Sequence, residues 1–355
     1  MSDLRINNIT DRIGGSGPVI AGICTVTSTG AFTVPVGPTE MRGGRGRGIW
    51  GTGSQPSSIN SIEYVEIATT GNATDFGDMT VAARGISACA SSIRGLFVGG
   101  LNLTQLSYIT ISSSGGASHF GDLSYETFYP GCVSDNIRGV FAGGYEAPNQ
   151  FYTKIEYSTF ATLGNATDFG GELQHGNGYG GNRSGRTNMA GFSSPTRGIF
   201  AGGNQGYDYP ASAPATDLID YITIQTLGKV YDYGDLTSGR SGCAGASSST
   251  RGVIAGGYTG THFTPSLTVV NTIDYITIAS IGNAIDFGDI TQSRERFHGC
   301  SNGTRGVFAG GKTPTILNTI DYVTIATTGN ASDFGDLITV RFEDAGCSDA
   351  HGGLG

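Results

Sequence analysis

The residues of this 355-residue chain that could do chemistry are five histidines, a recurring Asp-Phe-Gly-Asp element, six cysteines and a set of loop aromatics. The histidines, His119, His175, His262, His298 and His351, are scattered. No Ser-His-Asp arrangement and no close histidine pair of a zinc site is legible among them. Asp75 with Asp78, Asp286 with Asp289, and Asp333 with Asp336 offer the oxygen ligands calcium prefers. They lack the ligand density of a calcium loop, and aspartates commonly fix turns through backbone hydrogen bonds. Asp-Phe-Gly is also a kinase element, but no H-R-D loop or V-A-I-K strand accompanies it. The run G-N-G-Y-G-G from Gly176 fits G-x-G-x-x-G by letter. It lies between β-type segments, with no helix N-terminus to hold a pyrophosphate. The sequence therefore points to no catalytic residue, no metal site and no cofactor, and reads as not an enzyme.

The elements around these residues are repeats. Six copies of one cassette read R-G-I-W-G-T-G from Arg47, R-G-L-F-V-G-G from Arg94, R-G-V-F-A-G-G from Arg138 and Arg305, R-G-I-F-A-G-G from Arg197, and R-G-V-I-A-G-G from Arg251. A spacing of roughly 50 residues suits a propeller blade of four strands. Each copy supplies a short small-residue strand, the apolar cassette, an alternating strand around a tyrosine (64, 108, 157, 221, 275, 322), and a strand at Asp-Phe-Gly-Asp. Period-two alternation with β-branched residues is a strand signal. The first copy lacks its first strand, and a lone first-type strand, A-G-C-S-D, follows the last copy. Joining Ala345–Ser348 to Arg47–Thr80 completes a sixth blade and removes two open sheet edges. An inner strand from residues 41–45 is the alternative. The repeated arginines are expected to tie blade to blade through carboxylates or carbonyls. Cys89, Cys132, Cys243, Cys300 and Cys347 read as one repeat position, too widely spaced for disulfides and filled by small buried hydrophobes facing the axis.

The double glycines at 99–100, 143–144, 202–203, 256–257 and 310–311 resemble the Kelch-type β-propellers, over about 310 residues. The downstream Kelch tryptophan is missing, since Trp50 is the only one, and the repeated tyrosines stand in its packing role. The fold class is thus all-β: a six-bladed Kelch-like propeller over residues 42–355, closed by the C-terminal strand, behind an N-terminal docking arm, residues 1–41. In the arm, V-I-A-G-I-C-T-V and A-F-T-V-P-V read as a hairpin turning at Gly30. The arm run N-N-I-T-D-R-I-G-G-S-G and the arrays I-D-Y-I-T-I-A-x-x-G-N-A-x-D-F-G-D resemble structural proteins of tailed phages, particularly those of marine cyanobacteria. That resemblance implies a virion component held to other virion proteins by its arm, in many copies.

Bulk properties narrow the partners. A net charge of −9 and no basic, aromatic-studded stripe argue against nucleic acid. No signal peptide or membrane-length apolar run is present, so synthesis in a host cytoplasm and no membrane insertion are expected. Loop lengths then separate two ends. From the third-strand tyrosine to the aromatic of the fourth strand is twelve positions in all six copies. The connections from second to third strand, and from fourth strand to the next blade, vary widely and share one end of an up-and-down blade. Variable loops on a rigid scaffold are where recognition sits. The candidate contact residues there are Tyr145, Phe151, Tyr152, His175, Tyr179, Tyr207, Tyr209, Tyr258, His262 and Phe263. They suit stacking on a host glycan or docking on a host surface protein. A purely structural decoration of the virion and a glycan-degrading enzyme are the competing expectations.

Overall fold

The computed structural model describes residues 19–20, 24–25, 46–146, 150–173, 185–206, 213–262 and 267–354. The chain divides into two units, Met1–Thr39 and Glu40–Gly355. In the first, Val19–Ile20 pairs antiparallel with Cys24–Thr25. This pairing falls inside the segment expected to be one continuous strand, because the register Ile20↔Cys24 demands a reversal between them. Gly30 and the remainder of the expected hairpin lie outside the described residues.

The second unit is a six-bladed propeller of antiparallel sheets, each running inner, second, third, outer. The cassettes form the second strands: Arg94–Val98, Arg138–Ala142, Arg197–Ala201, Arg251–Ala255 and Arg305–Ala309 in blades two to six. They are buried runs beyond their arginines, as strands covered on both faces must be. Blade one is built from both ends of the unit. Its inner strand, Ala345–Ser348, pairs with Arg47–Gly51 in the register Gly48↔Ser348, Ile49↔Cys347, Trp50↔Gly346, Gly51↔Ala345. The inner position is thereby filled, and residues 41–45 are not needed for it.

The repeated motifs are joints between blades. The twelve-residue spacing sets each third-strand tyrosine edge-on to an outer-strand aromatic, as in Tyr64–Phe76 and Tyr322–Phe334 with centroids 5.9 Å apart. The cassette arginine lies over the same tyrosine, 4.5 Å from the centroid for Arg251 over Tyr275. It then reaches into the next blade: Arg197 Nη1 donates to the Ile278 carbonyl at 2.8 Å, and Arg305 Nη1 to Ile67 at 3.1 Å across the closure. Outer strands are also joined around the rim. Gly71 N donates to Phe334 O, Ala73 N to Asp336 O, and Asp336 N to the Asn72 side chain. The G-N-A and D-F-G-D elements are therefore the two halves of a rim contact that covers the outer edges. Gly335, at φ +147°, sits so close that a Cβ would come 2.5 Å from the Gly71 carbonyl. Gly335→Ala is expected to cost about 1–3 kcal/mol in denaturant titration, since both backbones must shift.

A second arginine ring is buried. Arg186–Asp220, Arg240–Asp274 and Arg294–Asp321 pair at 2.6–3.0 Å, and Arg341 pairs with Glu63 across the closure. Each arginine also donates to carbonyls of its blade, as Arg240 does to Gly256 and Thr272. At the other two junctions the arginine is absent, and in blade two the carboxylate is absent with it. Blade two has Ala83 and Ser107, and blade three has Thr127 and Glu156, the latter paired with Lys154 at 3.0 Å. There the Tyr125 hydroxyl takes over the arginine's carbonyls, donating to Gly143 and Lys154.

The five propeller cysteines are free and buried, but they do not share one repeat position. Cys89, Cys300 and Cys347 are third in their inner strands, Cys132 is second in its own, and Cys243 precedes its strand. The glycine-rich inner strands differ little at these neighbouring places, which obscured the register. Four of the five line the axial channel, and burial raises the thiol of Cys347 to about 12.

Candidate functional site

Second-to-third loops and blade-to-blade links meet at one end of the propeller. Arg186–Thr187 pairs with Asn204–Gln205, and single bridges join Phe128 to Tyr145, Ser241 to Tyr258, and Glu295 to Lys312. Insertions of neighbouring blades also pair, Ala213 with His262 and Pro214 with Thr261. The variable end is thus knitted by backbone hydrogen bonds.

Three expected contact residues come together on blade three. Tyr145–Glu146 and Gln150–Phe151 pair as a small hairpin, which sets the Tyr145 and Phe151 rings 5.1 Å apart. Tyr152 packs on Tyr125 at 4.2 Å and donates its hydroxyl to the Glu146 carboxylate. Backbone bonds hold Tyr145 to Phe128, and Phe128 packs on Tyr129 at 3.8 Å. All six aromatics are half-buried. Each therefore keeps an exposed part while its neighbours fix its orientation, so little rotamer entropy remains to be lost on binding. Burial, then the Glu146 hydrogen bond and charge, hold the Tyr152 phenol up and protonated.

From Tyr129 the strip continues to the axis. The residue two places before each inner strand is in the left-handed region: Gly85, Tyr129, Asn188, Gly242, Arg296 and Glu343, with φ between 54° and 66°. Their backbones close a ring of six hydrogen bonds. Each N–H donates to the carbonyl of the preceding member, from Tyr129 N to Gly85 O at 2.7 Å round to Gly85 N to Glu343 O at 2.8 Å. Four members are not glycine, although this conformation is costly for a side chain, and such outliers gather at functional sites. Arg296 Nη1 donates to Glu343 Oε1 at 3.0 Å, and its guanidinium lies 6.0 Å from the Tyr129 centroid. Burial would lower the Arg296 pKa, but Tyr129, Glu295, Tyr258 and Glu343 together carry it upward. Burial raises Tyr129, opposed by Arg296 and reinforced by Glu343. The mouth thus holds a half-buried cation, Arg296, and a half-buried phenol, Tyr129, beside aromatic faces, with the Glu343 carboxylate buried beneath them.

The other expected residues fare differently. Tyr258 is 1% exposed and gives its hydroxyl to Asn204. It is an internal strut rather than an exposed stacking surface, because the neighbouring link bridges over it at Ser241. His262 pairs through its backbone with Ala213. His175, Tyr179, Tyr207, Tyr209 and Phe263 lie outside the described residues. Sequence reasoning passed over Tyr125, Phe128, Tyr129, Arg296 and Glu343. For Tyr129, Arg296 and Glu343 the signal was a position that stays aligned in every copy yet changes chemistry from glycine to tyrosine, asparagine, arginine and glutamate. Among the described residues no group of three or more His, Cys, Asp or Glu side chains could hold a metal ion, and no helix is long and apolar enough to cross a membrane. Neither the protein-family models nor the curated proteins contain a match to this chain.

Proposed function

We propose that the protein is a non-enzymatic adhesive module whose variable end binds a host-surface glycan or protein. One observation carries this reading: the side chains that depart from the repeat gather at one end as a strip from Tyr145 and Phe151 through Tyr129 to Arg296. The scaffold needs no such departure, since glycine serves the same ring positions at Gly85 and Gly242. Aromatic and arginine residues on a rigid base are the usual anchors of recognition surfaces. The resemblance of the repeats to Kelch-type propellers, and of the arm to tailed-phage structural proteins, supports placement on a virion as a tail, fibre or surface component. Display there in many copies, through arms held by other virion proteins, would turn modest single-site affinity into avidity.

The expected result on a glycan array of bacterial surface polysaccharides is selective binding by the wild type. Tyr145→Ala/Phe151→Ala should weaken it by roughly 10- to 100-fold, as anchors worth about 1–3 kcal/mol do, with an unchanged melting temperature. Binding that survives the double substitution would remove this reading. The pairing of Ala213–Pro214 with Thr261–His262 favours a second reading, in which the loops brace one another and the module only decorates the particle. No binding to any array glycan or host cell would favour that second reading.

A further inference from the structure

At the opposite end of the axis the inner strands finish on Ala90, Ser134, Ser193, Ser247, Ser301 and Ser348. The serines are stitched to one another: Ser247 Oγ donates to Ser193 O, Ser301 Oγ to Ser247 O, and Ser348 Oγ to Ser301 O. Blade two alone has alanine here. The chain beyond Ser348 turns back over that place. Asp349 accepts the Arg47 N–H at 2.9 Å, and a 3-10 turn, Gly352–Leu354, follows His351. His351 Nε2 lies 2.7 Å from the Ala90 carbonyl and 3.2 Å from Ser134 Oγ, while Nδ1 accepts the Gly353 N–H at 3.1 Å. Gly352 and Gly353 are buried against carbonyls of Ser193, Ser248 and Ser134, so closely that a Cβ on either would overlap them. Beside the turn lies an axial cavity of about 50 Å³, lined in part by Cys89, Cys132, Cys300 and Cys347.

We propose that residues 349–354 are an acid-released plug of the axial channel, latched by the neutral imidazole of His351. A carbonyl on one ring nitrogen and an N–H on the other fit a single state, protonated at Nε2 and bare at Nδ1. A second proton would go to Nδ1, where it would face the Gly353 N–H and leave two donors opposed. The groups around the ring do not reverse this. Asp135 favours the charged form, Asp349 is engaged by Arg47, and the four thiols are held neutral by burial. Burial outweighs the Ala90 carbonyl bond and Asp135, which both favour the charged form, and places the His351 pKa below its ordinary value. The seated plug therefore binds its proton less readily than a released one. Its stability is full above the ordinary histidine range and declines as pH falls from there through the lowered value.

The test is labelling of the axial thiols by 4,4′-dithiodipyridine in the full chain carrying Cys24→Ser, normalised at each pH to a cysteine peptide. The normalised rate should rise severalfold between pH 7.5 and pH 5.0, as the lowered His351 pKa requires, with the far-UV signal unchanged. His351→Gln, which cannot take up a proton, should label at the same rate at both values. Gly353→Ala should label rapidly at both, because the plug cannot seat. A pH-independent wild-type rate, the same acid response in His351→Gln, or labelling only with loss of the β-sheet signal would each overturn the proposal.

Discussion

A chain ending at Glu343 is expected to lose the cooperative unfolding of the propeller altogether. The twelve residues removed hold the inner strand of blade one, and with it four register pairs to Arg47–Gly51. Ile49 and Trp50, both fully buried, would lose their cover. So would the Arg47 N–H bonded to Asp349. A domain is stabilised by only about 5–15 kcal/mol in total, and an opened ring also frees two strand edges for aggregation. Thermal melts followed by circular dichroism should show a broad, irreversible loss in place of a transition. Adding the peptide 344–354 in excess should restore the transition, because the missing strand is short and its slot is formed by its neighbours. A truncated chain that melts like the full one would mean that the C-terminal strand does not close the ring.

Arg341→Ala carries the next largest effect. Arg341 is fully buried, donates to the Thr52 and Ser61 carbonyls at 3.2 and 3.1 Å, and pairs with Glu63. The Glu63 carboxylate also accepts the N–H groups of Ile338 and Thr339 at 2.7 and 3.2 Å, so it cannot swing away without stranding them. Removing the cation leaves a buried carboxylate unpaired, which costs about 3–5 kcal/mol. Blade two shows how the loss can be relieved, because Ala83 and Ser107 occupy the equivalent places. Arg341→Ala/Glu63→Ser copies that neutral pair and should recover at least half of the lost stability in a double-mutant cycle. Equal losses in the single and double variants would mean that the arginine acts through its carbonyl contacts and not through the ion pair.

The ring was legible because each joint recurs in the sequence. Each copy opens on an arginine such as Arg251 and keeps its tyrosine and outer aromatic, Tyr275 and Phe287, twelve residues apart, and the three become a cation over a ring over a second ring edge. The split blade was visible for the same reason, as a first strand with no partner at one end and a missing one at the other. The recognition strip was only half legible. Aromatics in long loops marked Tyr145, Phe151 and Tyr152, but composition does not say which way a ring faces. Tyr258 therefore looked like its neighbours and proved to be internal. Tyr129, Arg296 and Glu343 escaped notice because their meaning lies in a backbone conformation that glycine disguises in two of the six copies. The cysteine register failed in small-residue strands, where a shift by one place changes little in the pattern.

Hydrogen–deuterium exchange with and without a saturating array-positive glycan tests most directly which end of the propeller is adhesive. Protection is predicted over residues 125–129, 145–152 and 295–296, and none over the opposite hairpins that carry the exposed Ile137 and Leu163. Protection confined to those opposite hairpins, with the strip unchanged, would contradict the account.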